Sequence, residues 1–267
     1  MWSILIVVSL NQLVLTIGQQ QDQCGIFTSS GTLTIGNSLS KGEALRRLLV
    51  CKELNDDISI DGTYFQVGNM KITGLMLAAD AGLNDIARDI LHHFARINAT
   101  DLDGSTALMF AAASGNINLQ NILIDLDAVV NRKNLKGQTA LLLAAINGHQ
   151  TTVANLMKKG ANADLKDNEG RPALDYLSIK GDVGMVRILA ANGANVNIQE
   201  PHGWTPLMRA TYRGYTEMEA VLLANGADPN IRDNKGHTAE SWRRNSFNNL
   251  LLNKLNLLNK LLQQLRW

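Results

Sequence analysis

The sequence predicts an all-α solenoid of helix-turn-helix repeats with short β-hairpin fingers and an extended C-terminal helix. Three columns of residues carry that prediction. Gly82, Gly115, Gly148, Gly181 and Gly214 recur every 33 residues, and Gly104, Gly137, Gly170, Gly203 and Gly236 keep the same step. Asn98, Asn131, Asp164, Asn197 and Asn230 form the third column, so three series stay in register over five units. The composition agrees: 267 residues, 45% hydrophobic but only 5% aromatic, suit stacked Leu- and Ala-rich helices. With Lys+Arg 25 against Asp+Glu 24, global charge gives no argument for a nucleic-acid partner. Two cysteines are too few for a disulfide scaffold or a thiolate zinc site.

The chain opens with an address. Residues 1–18 carry no charged side chain, and Ile4–Leu10 and Leu13–Ile17 form an apolar run interrupted by Asn11 and Gln12. Thr16 and Gly18 place small residues before a cut at Gln19, and Gln19–Gln23 is polar. This is the layout of a secretory signal peptide, without the usual basic start. Left uncleaved, the same segment would be a membrane anchor, although it is short of the ~20 apolar residues of a spanning helix. A polar linker is expected over 19–40. Export also changes how Cys24 and Cys51 read. In an oxidising compartment the pair could bridge and add ~2–4 kcal/mol. In a reducing one, Cys51 reads as a small buried hydrophobe and Cys24 as a free thiol.

A capping helix is expected over 41–57, from Ala44, Leu45, Leu48, Leu49, Cys51 and Leu54 at helical spacing. The connection Asp56–Lys71 is longer than the later ones and holds Tyr64, Phe65 and Val67, which marks it as a distinct finger. Repeats follow over 58–246, five full units and the start of a capping one. The matching blocks read Thr73-Gly-Leu-Met-Leu-Ala-Ala79, Thr106-Ala-Leu-Met-Phe-Ala-Ala112, Thr139-Ala-Leu-Leu-Leu-Ala-Ala145, Pro172-Ala-Leu-Asp175 and Thr205-Pro-Leu-Met-Arg-Ala210. With Gly160-Ala161, Gly193-Ala194 and Gly226-Ala227, these blocks resemble the ankyrin repeat family over roughly residues 41–250.

Each column has a physical reason. Thr is the N-cap of the first helix of each pair, its side-chain oxygen accepting from an otherwise orphaned N–H. Leu and the Ala pair face the neighbouring repeat. The first glycine series ends that helix in a left-handed conformation, and the second sits at hairpin tips. The Asn/Asp column is expected to bond the backbone in the turn leaving the second helix. None of these glycines is a phosphate loop.

The far end differs. Thr238-Ala-Glu-Ser-Trp242 is polar, as a terminal repeat needs. An extended helix is expected over 247–267, with Leu251, Leu255, Leu258, Leu262 and Leu265 on a heptad seam beside Lys254, Lys260 and Arg266. Three readings stand for it: a long cap over the last repeats, self-association through the seam, or a basic amphipathic helix on an anionic membrane.

Catalytic constellations are wanting. His92 and His93 are adjacent and point to different sides of a helix. His149 lies in a structural Gly-His step, and a zinc shared by His202 and His237 has little behind it. No nucleophile elbow is present, so the chain reads as a non-enzyme without metal or cofactor. Asp175 stands where other repeats have Met76, Met109, Leu142 and Met208, and its repeat also has Leu177 for Ala and Pro172 for Thr. It reads either as a looser repeat, the first to open, or as a binding irregularity. Asn98-Ala-Thr100 is a glycosylation sequon that coincides with the Asn/Asp column.

The resemblance implies a protein-binding module that uses hairpin tips and the inward face of the first helix of each pair. Carried over by position, the first of these residues are Asp103, Ser105, Ala113, Ser114, Lys136, Gln138, Ile146 and Asn147. Glu169, Arg171, Lys180, His202, Trp204, Tyr212 and Arg213 complete the set. Trp204 and Tyr212 stand out because Trp, Tyr and Arg dominate interface energies; the other reading of Trp204 is packing across its hairpin. Asp80, Asp101 and Asp103 mark the first repeats, whereas Lys136, Arg171, Lys180 and Arg213 mark the later ones. A protein partner offering an acidic, partly aromatic or aliphatic segment to the C-terminal half is therefore expected.

Overall fold

The computed structural model describes residues 32–34, 45–46, 64–67, 70–92 and 96–243. The expected signal segment, Cys24, Cys51 and the leucine seam of 247–267 lie outside the described residues. The chain divides into two compact units, Met1–Val129 and Val130–Trp267. No helix among the described residues is long and apolar enough to cross a membrane.

The first unit begins with a three-stranded sheet: β1 (Thr32–Thr34), β2 (Tyr64–Val67) and β3 (Met70–Thr73). The finger expected from Tyr64 and its neighbours is the antiparallel pair β2–β3, with Tyr64 opposite Thr73 and Val67 opposite Met70. The polar-linker reading of 19–40 needs correction, because Thr32–Thr34 pair in parallel with Tyr64–Gln66. Residues rich in Thr fit a strand, and parallel strands need a crossover of a dozen or more residues. The intervening 35–63 supply one. Within it Leu45 and Arg46 are helical, and Leu45 is completely buried; the rest of the capping helix expected over 41–57 lies outside the described residues.

β3 runs straight into α1 (Gly74–Ala81), which is followed by α2 (Asn84–His92), α3 (Ala107–Ala113) and α4 (Ile117–Asp125). The second unit holds α5 (Ala140–Asn147), α6 (Gln150–Lys158), α7 (Ala173–Lys180), α8 (Val183–Ala191), α9 (Pro206–Arg213) and α10 (Thr216–Ala224). A further helical stretch begins at 239–243. First helices stack on first helices, α1 on α3 in one unit and α5 on α7 on α9 in the other. Second helices do the same, α2 on α4 and α6 on α8 on α10. The buried faces are those the repeat blocks specify: Leu75, Ala78 and Ala79, then Leu108, Ala111 and Ala112, then Leu141, Ala144 and Ala145. Small Ala side chains let these helices lie close.

Helix starts follow the Thr column. The hydroxyls of Thr73, Thr106, Thr139 and Thr205 accept from the backbone N–H of Met76, Met109, Leu142 and Met208 at 3.3, 3.4, 3.2 and 3.2 Å. Pro172, in the fourth block, provides no side-chain cap to α7. Gly137 and Gly203 show why hairpin tips exclude a side chain. Each has a positive φ, +74° and +82°, and a Cβ on either would lie within 2.7 Å of the backbone N of the following tip, at Asn168 or Asn234.

The Asn/Asp column reaches beyond its own turn. Asn98 Nδ2 donates to Asp127 O at 3.2 Å, and its Oδ1 accepts from Val129 N at 2.9 Å. Asn131 repeats this with Gly160 O and Asn162 N, and Asn197 with Gly226 O and Asp228 N. Asp164, having no amide, keeps only the acceptor half, from Asn195 N. The expected bonds to the backbone are present, and they reach across a repeat: the column staples each turn to the next. At Asp127 the helix-ending glycine of Gly160, Gly193 and Gly226 is replaced, yet the backbone still turns left-handed, with φ +64°.

Candidate protein-binding surface

Five hairpins of the repeats are each built round one acceptor. Asp101, Asn134, Asp167, Glu200 and Asp233 each use one side-chain oxygen to accept from the backbone N–H groups two and four residues on, at 2.7 to 3.0 Å. This closes the loop on itself. In the second unit, the three carboxylates turn the remaining oxygen toward the residue nine positions later, on the following helix. Tyr176 donates its hydroxyl to Asp167 Oδ2 at 2.6 Å, and Trp242 donates Nε1–H to Asp233 Oδ2 at 3.0 Å. Arg209 brings Nη2 to 3.8 Å from Glu200 Oε2. One column of half-buried groups, Tyr176, Arg209 and Trp242, is held in place from below by acids that are themselves buried.

Aromatic and cationic groups gather on this column. Trp204 lies 4.4 Å from Trp242 and 5.5 Å from Tyr212 between ring centroids, and Tyr212 lies 5.8 Å from Trp242. His237 meets the Trp242 ring edge-on at 4.9 Å. The Arg209 guanidinium sits 5.0 Å over the Trp204 ring, and that of Arg171 sits 4.5 Å over Tyr176, both within cation–π range. Arg209 Nε also donates to Asp175 Oδ1 at 2.7 Å.

The electrostatics follow the burial. Desolvation pushes the Asp175 carboxyl above its ordinary value, against the lowering effect of Arg209. Burial, aided by the hydrogen bond to Asp167, pushes the Tyr176 phenol well above its usual range. At Asp233 burial acts upward as well. There, donation from the N–H groups of His237 and Lys235 and from Trp242 outweighs it and holds the carboxyl below its ordinary value.

The residues expected from the sequence divide into two groups. Trp204, Tyr212 and Arg171 come together with the column, Trp204 half-buried in the aromatic cluster and Tyr212 exposed at its edge. Of its two readings, Trp204 combines packing with partial exposure. Lys136, His202, Lys180 and Arg213 are exposed; Lys180 donates to the carbonyl of Ile146 one repeat earlier. Ser114 is tied back through its hydroxyl to Ala79 O at 3.0 Å, and Asn147 to Leu143 O at 3.0 Å. The Asn98 amide donates in the staple, and a glycan there would leave it a single N–H for that bond. Among the described residues no group of three His, Cys, Asp or Glu side chains could hold a metal ion.

Asp175 is no simple lapse of the repeat, since its carboxylate is the partner of Arg209. Tyr176, Arg209 and Trp242 are not among the contact residues expected from the sequence. A signal for them was there: an acid at 167, 200 and 233, each with a hydrogen-bond donor nine residues later. At Asp101 and Asn134 the residue in that place is Phe110 or Leu143.

Comparison with known proteins matches this geometry. The family model for ankyrin repeats (three copies) matches residues 38–134, 75–167, 119–200 and 151–233. Among solved structures, the ankyrin repeat domain of Bcl-3, described as a unique member of the IkappaB protein family, is similar to this chain at 27% identity and a TM-score of 0.66. The match covers 76% of this chain and 89% of that one. Comparison with curated protein sequences gives no significant match. The Thr caps, positive-φ glycines and stapled turns, taken with a family model spanning 38–233, place the chain in the ankyrin repeat family, whose repeats are protein-interaction modules.

Proposed function

We propose that this chain is an exported, non-catalytic ankyrin-repeat protein that binds a protein partner through the hairpin tips and first-helix face of its second unit. The partner offers an acidic segment with aromatic or aliphatic neighbours, and the chain serves as a secreted effector or modulator. The observation that carries this reading is the Trp204–Tyr212–Trp242 cluster, flanked by the guanidinium groups of Arg171 and Arg209. Aromatic and Arg side chains on a rigid support are what interface hot spots are made of. The acids beneath are buried and already accept hydrogen bonds, so an arriving partner meets the rings, Arg209, and Arg171 with its exposed partner Glu169.

Affinity capture from the native compartment tests the reading. Trp204→Ala should weaken the captured complex by ~2 kcal/mol or more; an unchanged affinity would take the cluster out of the interface. Export is supported by the uncharged, apolar start of the chain and the small residues Thr16 and Gly18. N-terminal sequencing of the mature protein should begin at Gln19. A start at Met1 on a membrane-bound protein would instead make the chain an anchored scaffold.

A further inference from the structure

We propose that Arg209 is the receptor for a side-chain carboxylate, Asp or Glu, in the bound segment. This rests on the second unit being the binding face. The guanidinium is held on two sides and open on the third. Asp175 contacts it through a single oxygen, Oδ1 to Nε at 2.7 Å, rather than across the two-nitrogen fork. Trp204 covers one face of its plane. Glu200 Oε2 lies 3.8 Å from Nη2, beyond hydrogen-bond distance, and its other oxygen is taken by the backbone N–H groups of His202 and Trp204. Among the described residues, Nη1 and Nη2 therefore have no hydrogen-bond partner, while the side chain remains 23% exposed. A planar fork fixed at Nε, with hydrogens on Nη1 and Nη2 that no hydrogen bond uses, matches the two oxygens of a carboxylate. Because Asp175 and Trp204 have already ordered the side chain, little rotamer freedom remains to be lost on binding.

Charge selects the ligand. Asp175 and Glu200 stand beside Arg209, and Arg213, exposed and four residues on along α9, adds a second cation on the same helix face. Two acids against two cations leave a neutral setting in which a single negative charge on the fork is favourable and a doubly charged phosphate much less so. The column continues past Arg209 on both sides, to Tyr176 and to Trp242. A segment passing through uses all of it, whereas a chain terminus would use half; this favours a side-chain carboxylate.

The test uses the full chain and a phage-displayed random peptide library, with the selected sequences remade as synthetic peptides. Peptides whose binding falls with Trp204→Ala should contain an Asp or Glu beside an aromatic or aliphatic residue. Changing that acid to its amide should weaken binding roughly tenfold or more on the natural chain. The same change should have almost no effect on the paired variant Asp175→Asn/Arg209→Gln, which removes both charges together, or on Arg209→Lys, which keeps the cation beside Asp175 but lacks the fork. Circular dichroism of both variants checks that they fold. An acid-to-amide effect of equal size on all three chains overturns the assignment of Arg209 and leaves the binding face standing. Dependence on a free C-terminal carboxylate, shown by peptide amidation, overturns the side-chain assignment. If no selected peptide depends on Trp204, the binding face fails and this inference with it.

Discussion

Arg209 Nε donates to Asp175 Oδ1 at 2.7 Å, joining α9 to α7 across consecutive repeats, with Asp175 in the place held elsewhere by Met76, Met109, Leu142 and Met208. The Asp175 side chain is 4% exposed, so the pair is buried on the acid side and open only at the guanidinium. Breaking a buried pair from one side leaves an uncompensated charge. Arg209→Leu, which installs the residue of Leu143, should therefore destabilise the second unit by about 3 kcal/mol. Asp175→Met added to it, as at Met208, should restore most of that loss. Urea denaturation of the two single variants and the double variant measures the coupling. Simple additivity of the single effects would mean that the two residues act independently.

Gly137 and Gly148 both have positive φ, +74° and +85°, but only Gly137 faces another hairpin. A Cβ at 148 would meet nothing within 4 Å; at 137 it would lie 2.6 Å from Asn168 N, whose proton bonds Lys136 O. Gly148→Ala should cost ~1 kcal/mol for the left-handed backbone alone. Gly137→Ala should cost about 1–3 kcal/mol more, through steric crowding and the lost bond. Thermal unfolding of the two variants side by side decides it, and equal costs would show that the tips can move apart freely.

Asp127 holds φ +64° where the later repeats use glycine. Its carbonyl, not its side chain, accepts from Asn98, so replacing the side chain leaves the staple intact. Asp127→Gly should stabilise the first unit by ~1 kcal/mol. A loss of stability in chemical denaturation would mean that the Asp side chain makes a contribution larger than the backbone strain.

Asp233 gives the second unit an acid-sensitive joint. Its carboxylate holds Trp242, His237 N and Lys235 N, and its folded pKa lies below the ordinary 3.8. The unfolded chain therefore takes up the proton first as pH falls. The contribution of Asp233 is complete above 3.8 and is lost as pH drops through the lowered folded value. Asp233→Asn sets a donor against the Trp242 indole and should cost about 1–3 kcal/mol at neutral pH. The gap between natural chain and variant, followed by tryptophan fluorescence, should narrow only below 3.8. A gap that stays constant into strong acid would rule out the ionised carboxylate as its source.

Much of this molecule is legible in one dimension because a repeat imposes the same local demand five times. Thr recurs at 73, 106, 139 and 205, where the first helix of a pair starts, and glycine recurs where the backbone turns left-handed, with Pro172 and Asp127 as the exceptions, so periodicity alone exposes them. The surface was only half legible. Trp204 and Tyr212 draw notice by residue type, whereas Arg209 reads as an ordinary solvated cation until its partner is known. That partner lies 34 residues back, one repeat and one residue away, an offset that no 33-residue column displays. Thr32–Thr34 were hidden for a related reason: three residues hold too little pattern to mark a strand, and their pairing with Tyr64–Gln66 depends on the crossover between them.

The sequence by itself determined the repeat, its helix boundaries and its buried Leu and Ala faces, since capping, backbone handedness and apolar burial act within one repeat or between identical neighbours. Only the tertiary structure decided that the Asn column staples each turn to the next, that Asp175 anchors Arg209, and that Trp204, Tyr212 and Trp242 form one cluster. Those relationships depend on distances and directions between side chains of different repeats, and stacking the helices is what brings them within hydrogen-bond and ring-contact range.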